Sequence, residues 1–167
     1  MVEPVTATLD DFDYRISMAN VVTGGAFSRF EGVDRQLLIL QGEGLELRFD
    51  QQDPFRLTSE SLPLAFAGER SVECRLLGGA VTDFNVMTRR GRYRQTVQRV
   101  TLPPRQGVCA DALLNLFLLL DSEVELDCCG EQFKLMRYDA IVVQQGERFR
   151  LQSTRPGHFI QLSLDAV

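Results

Sequence analysis

Histidine is almost missing from this chain. It occurs once, at His158, in 167 residues, and tryptophan does not occur at all. Transition-metal sites need imidazole, thiolate or clustered carboxylate ligands at fixed spacing. One histidine cannot build the usual histidine-rich centre. Its scarcity also removes the commonest general base and the Ser-His and Cys-His nucleophile systems. His158 follows Pro156-Gly157 at a strand start, where a surface or edge residue is expected. Cysteine occurs four times, at Cys74, Cys109, Cys128 and Cys129, with no C-x-x-C among them. Zinc knuckles and thioredoxin-type motifs are thereby excluded. Adjacent cysteines bridge each other only under strain, so all four read as reduced thiols of a cytoplasmic protein.

Two further shortages narrow the function class. The net charge is −5, and nucleic-acid binders show a basic excess instead. The longest apolar run, Leu116 to Leu120, is far too short for a membrane-spanning helix. The opening residues, MVEPVTATLDDFDYR, lack the apolar stretch of a secretion signal. Lysine is also scarce: of 18 basic residues only Lys134 is lysine, and the rest are arginines, whose planar fork grips carboxylates in bidentate fashion.

What is present is strand after strand. Tyr14 to Ala19 alternates, Gln36 to Leu40 and Leu45 to Phe49 flank the turn Gln41-Gly42-Glu43-Gly44, and Ser71 to Leu77, Val81 to Met87 and Tyr93 to Leu102 follow. Leu102 to Gly107, with two prolines, reads as a linker. Beyond it come Ala112 to Leu120, Glu123 to Cys128, Glu131 to Leu135, Ala140 to Val143, Arg148 to Gln152 and His158 to Leu164. The halves echo each other. Gly68-Glu69-Arg70 and Gly146-Glu147-Arg148 fall at matching places after matching hairpins. A twice-written set of short antiparallel strands predicts an all-β chain of two jelly-roll lobes, as in cupins, about 10–102 and 108–167.

Cupins commonly hold a metal by histidines and a glutamate on the first hairpin. Counting back seven residues from Gly42, the glutamate place is taken by Arg35, and the histidine places fall near Ser28 and Phe30, or Arg29 and Glu31. No metal and no cofactor is expected here; a fixed cation stands in the metal's place. A buried guanidinium needs an anion to balance it. Asp34 or Asp83 would serve permanently, and a carboxylate ligand would serve transiently.

Three runs are distinctive: DYRISMANV, GAFSRFEGVDRQLLILQGEGLELRF and LAFAGERSVECRLLGGAVTDFNVMTRRGR. They resemble the HutD/Ves family, strongly over about residues 10–92 and in general pattern beyond. Arg15 and Ser17 match the family's W-R-x-S strand, with Tyr14 for tryptophan. Phe27, Ser28, Phe30, Asp34 and Arg35 match P-F-S-x-F-P-G-x-D-R, and Asp83, Asn85, Met87 and Arg90 match D-F-N-x-M-x-x-R. The resemblance implies a metal-free RmlC-like bicupin domain over 1–167 that moderates histidine utilisation by binding an intermediate such as urocanate or formylglutamate, without catalysis. Arg15, Ser17, Ser28, Phe30, Asp34, Arg35, Asp83 and Asn85 would form the ligand site. The alternatives are a stress-induced Ves-like role, or a metal-independent isomerase or lyase with Tyr93 or Tyr138 in acid–base work. The family's usual P-W-K-N-G-G-G-x-T segment is not found ahead of Tyr14. Loss of a strand there would open a sheet edge through which a homodimer could form.

Overall fold

The computed structural model describes residues 2–3, 11–50, 52–128 and 130–167, with backbone alone for Val2 and Glu3. Cys129 and most of the opening stretch lie outside the described residues. The described chain is all strand: β1 Val2–Glu3, β2 Tyr14–Val21, β3 Gly25–Ala26, β4 Val33–Gln41, β5 Leu45–Phe49, β6 Phe55–Leu57, β7 Leu64–Ala67, β8 Val72–Leu76 and β9 Val81–Arg89. Then come β10 Tyr93–Leu102, β11 Gly107–Cys109, β12 Leu114–Leu119, β13 Glu123–Cys128, β14 Glu131–Met136, β15 Ala140–Gln144, β16 Arg148–Leu151 and β17 Gly157–Ala166. Among the described residues no helix is long and apolar enough to cross a membrane.

The chain divides into two compact units, residues 1–93 and 94–167. In the first, one sheet runs β1-β2-β9-β4-β7 and the other β3-β8-β5-β6. In the second, the sheets run β10-β17-β12-β15 and β11-β16-β13-β14. Adding eight to each label from β2 to β9 converts one topology into the other. The repeat expected from sequence is therefore present, strand for strand, as two eight-stranded jelly rolls, β2 to β9 and β10 to β17, with β1 added beside β2 in the first.

This correspondence moves the boundary. The sequence reading placed Tyr93 to Leu102 in the first lobe and a linker after it. Instead β10 lies beside β17 and opens the second unit, in the place that β2 holds in the first. The last residue of the supposed linker, Gly107, begins strand β11, Gly107–Cys109, paired with β16. Three residues of such mixed character carry too little periodicity to be read as a strand.

Each unit closes around its own core. Leu37, Ile39, Leu45, Leu47, Phe49 and Leu57 form the centre of the first, with Phe49 and Phe66 edge to face at 5.2 Å. Burying each leucine contributes about 1.5–3 kcal/mol. Phe117, Phe149 and Phe159 anchor the second. The β4–β5 hairpin needs its glycines: Gly44 has φ +113°, and a Cβ there would stand 2.3 Å from the Leu57 carbonyl oxygen.

Candidate functional site

The inner face of the first unit is set by cross-strand register. Opposite residues of an antiparallel pair share a face. One row across the sheet is Arg15–Met87–Arg35–Phe66. The next is Ser17–Asn85–Leu37–Leu64, and the third is Ala19–Asp83–Ile39. Since Leu37 and Ile39 are core residues, Arg15, Ser17, Arg35, Asp83 and Asn85 all belong to the inward face.

Arg35 is 4% exposed. Its Nη1 donates to the Ser28 carbonyl oxygen at 3.1 Å, while its buried Nε has no partner among the described residues. The guanidinium lies 5.0 Å from the Phe66 ring centre, 5.3 Å from Phe27 and 5.8 Å from Phe30. Such stacking partly compensates a desolvated cation. Burial pushes its pKa down to about 10, opposed by the nearby Asp83 charge and assisted by Arg15.

Asp83 is equally buried and accepts the Ala19 N–H at 3.2 Å. Burial pushes its pKa up to about 6, against the pull of that hydrogen bond and of Arg35. Arg35 and Asp83 sense each other's charge but form no direct ion pair among the described residues. Asn85 lies between their rows, and its buried Oδ1 has no partner among the described residues. Cys74, the closest buried thiol of the core, has its pKa raised by burial first, with Asp83 and Glu73 adding to the rise.

The remaining expected residues divide. Phe30 is at the site through its ring. Ser28 is exposed and supplies its backbone carbonyl to Arg35. Asp34 does not join. It is one residue from Arg35 on β4, so alternation turns it to the opposite face, where it accepts Arg90 Nε at 2.8 Å. Arg90 also spans to Glu69, at 2.8 Å from Nη1. Of the two carboxylates expected to balance Arg35, Asp34 is therefore ruled out by its place on the opposite face, and Asp83 is the buried one whose charge acts on that guanidinium. Phe27 and Phe66 were not expected as site residues by the sequence reading. Phe66 in particular is brought to Arg35 by the β4–β7 register, which no local pattern announces.

The second unit shows what this interior looks like without charge. Counted back from Leu119 as Arg35 is from Ile39, its inner face carries Asn115, fully buried and satisfied. Asn115 Nδ2 donates to the Ala112 carbonyl at 3.0 Å, and its Oδ1 accepts from Ser163 Oγ at 3.1 Å. The place of Asp83 is taken by Phe159, opposite Leu119. The same topology therefore closes on phenylalanine and a satisfied amide, and the charged pair of the first unit is not a demand of the fold.

Two grooves lie on the second unit. One, of about 550 Å³, runs along Cys109, Asp127, Arg148 and Arg150. The other, of about 750 Å³, holds Arg137, Arg155 and His158, whose Nδ1 lies 3.0 Å from Asp121 Oδ1. Their charged side chains are largely solvent-facing, so the buried orphaned polar atoms of Arg35 and Asn85 mark the stronger candidate. Tyr93 packs edge to face with Tyr14 at 5.6 Å, and Tyr138 belongs to the second unit. Among the described residues no group of three or more histidine, cysteine or acidic side chains could hold a metal.

Two eight-stranded jelly rolls in one chain, one with a charged interior, define a bicupin. The chain is similar at this level to a cupin 2 conserved barrel domain protein from Leptotrichia buccalis, with TM-score 0.68 and 8% identity over 92% of this chain and 84% of that one. That likeness shows the fold. The chain belongs to the HutD family, whose match covers residues 1–161. It is 37% identical over 134 residues to an uncharacterized 21.2 kDa protein in the hutC 3' region of Pseudomonas putida, covering 80% of this chain and 69% of that protein. It is also similar to HutD from Pseudomonas fluorescens SBW25, solved in a formate condition, with TM-score 0.78 and 28% identity over 98% of this chain and 84% of that one. Protein Ves of Escherichia fergusonii is 42% identical over 81 residues, 47% of this chain and 41% of that protein.

Proposed function

We propose that the first unit binds a small carboxylate at Arg35, and that through this ligand the protein moderates histidine utilisation without catalysing a step. The observation that carries the reading is a buried guanidinium ringed by Phe27, Phe30 and Phe66 that has, among the described residues, no partner at Nε and no ion pair. A carboxylate is the natural acceptor for that fork. Ser17, half-buried in the adjacent row, and Asn85 are placed to add hydrogen bonds. The pathway assignment rests on family membership and on the hutC neighbourhood of the P. putida relative.

The test is calorimetry of wild type and Arg35→Met with urocanate and formylglutamate, both carboxylates. Binding by wild type and its loss in the variant are expected. Equal binding by both proteins, or none by either, sinks the assignment. The volume-conserving variant keeps the core filled, so a null result is not a folding artefact.

A further inference from the structure

The charged groups of the first unit's inner face are sorted by sign along the strands. Arg35 on β4 and Arg15 on β2 share one row. Asp83 on β9 lies two rows away, and Cys74 on β8 senses both Asp83 and the exposed Glu73. Rows on one face are about 6.7 Å apart, twice the strand rise per residue. Asn85, with its unpartnered Oδ1, occupies the row between. The interior is thus a dipole, cationic at one end, acidic at the other, with an uncharged hydrogen-bonding group in the middle.

We infer that this is a two-pole site, whose ligand carries a carboxylate for Arg35 at one end and an N–H-bearing cationic group for Asp83 at the other. The inference rests on the carboxylate reading above and specifies the ligand class. Three arguments support it. First, an ionised carboxylate only accepts hydrogen bonds, and among the described residues Asp83 accepts one, from Ala19. Acceptor capacity remains for a donor. Second, the buried charges already sum to zero, Arg35 against Asp83. A ligand with both signs pairs each pole and keeps that balance. A ligand with two carboxylates would set its second charge against Asp83, and like charges in a desolvated site are costly. Half-buried Arg15 strengthens only the carboxylate end. Third, the second unit fills the place of Asp83 with Phe159 and keeps its core, so a carboxylate there is not required for packing. Of the two acids above, urocanate has ring nitrogens for the acidic pole, whereas formylglutamate brings a second carboxylate to it.

Three probes of similar backbone length decide the matter: 4-aminobutyrate, butyrate and glutarate. Their binding to the full chain is followed by calorimetry or by amide chemical shifts at pH 7.5. The expected order is 4-aminobutyrate, then butyrate, then glutarate, with about tenfold or more between the extremes. Asp83→Asn is expected to bring the three within about threefold of each other, and Asp83→Glu to restore the order. Equal binding of the three by wild type, with dependence on Arg35, overturns the two-pole site and leaves the carboxylate reading standing. Binding of none of them, nor of urocanate or formylglutamate, overturns both. If Asp83→Asn does not fold, the wild-type order still decides.

Discussion

At the residue scale, Asp83 ties stability to pH. Its folded pKa, about 6, lies above the ordinary aspartate value near 4. Between those values the folded state holds more protons than the unfolded chain, so stability falls as pH rises through that window. By pH 7 the penalty is on the order of 2 kcal/mol, reduced by whatever solvent reaches the group. Asp83→Asn is expected to flatten the pH dependence of chemical unfolding between pH 4 and 6.5 and to leave the protein more stable at pH 7. An unchanged slope over that range would show that Asp83 is not the group responsible. Arg35 makes a second case. A buried cation replaced by a hydrophobe of similar volume often costs nothing. Arg35→Met is expected to stay within about 1 kcal/mol of wild type in urea unfolding while losing carboxylate binding. A large loss of stability would show that the arginine holds the core together.

At the element scale, strands with strong alternation were legible from sequence: β2, β5, β9 and β13 are found within two residues of their expected bounds. The two-residue β3 and the three-residue β11 were not read as strands, because so few residues show no period. The β4 strand holds a subtler difference. Its register with β9 shifts between Ile39 and Gln41, a bulge that inserts Leu40. Setting LLILQGEG against LFLLLDSE in sequence equates Leu37 with Leu116, but the bulge offsets the faces by one residue. Only the ladder shows that Arg35 and Asn115 are counterparts. The hairpin that carries β4 into β5 depends on Gly44. Gly44→Ala would combine a left-handed φ with a 2.3 Å approach to a backbone oxygen. A loss of about 2–4 kcal/mol by denaturant midpoint is expected. A change within 0.5 kcal/mol would contradict the turn geometry.

At the scale of the whole molecule, one topology is used twice with different interiors. The first unit keeps Arg35, Asp83 and Asn85 facing inward; the second closes on Phe117, Phe149 and Phe159. This predicts a separation of effects. Leu126→Ala, deep in the second core, is expected to cost about 2–5 kcal/mol of stability by creating a cavity. Its carboxylate affinity, measured by calorimetry well below the melting temperature, should stay within twofold of wild type. A tenfold loss would mean that the two units share the binding function.

The sequence by itself determined the all-β class, the doubling of the strand set, the HutD resemblance and the choice of Arg35. Each of these depends on short-range periodicity or on contiguous motifs, which survive without knowledge of partners. Tertiary structure decided the rest. It moved the boundary to Tyr93, because β10 lies beside β17 rather than within the first sheets. It turned Asp34 outward to Arg90 and set Asp83 facing Arg35. It also brought Phe66 to the guanidinium from 31 positions along the chain. Strand register is a long-range property. A one-residue slip exchanges the faces of a strand, so which charge meets Arg35 is settled by the ladder and not by the order of residues.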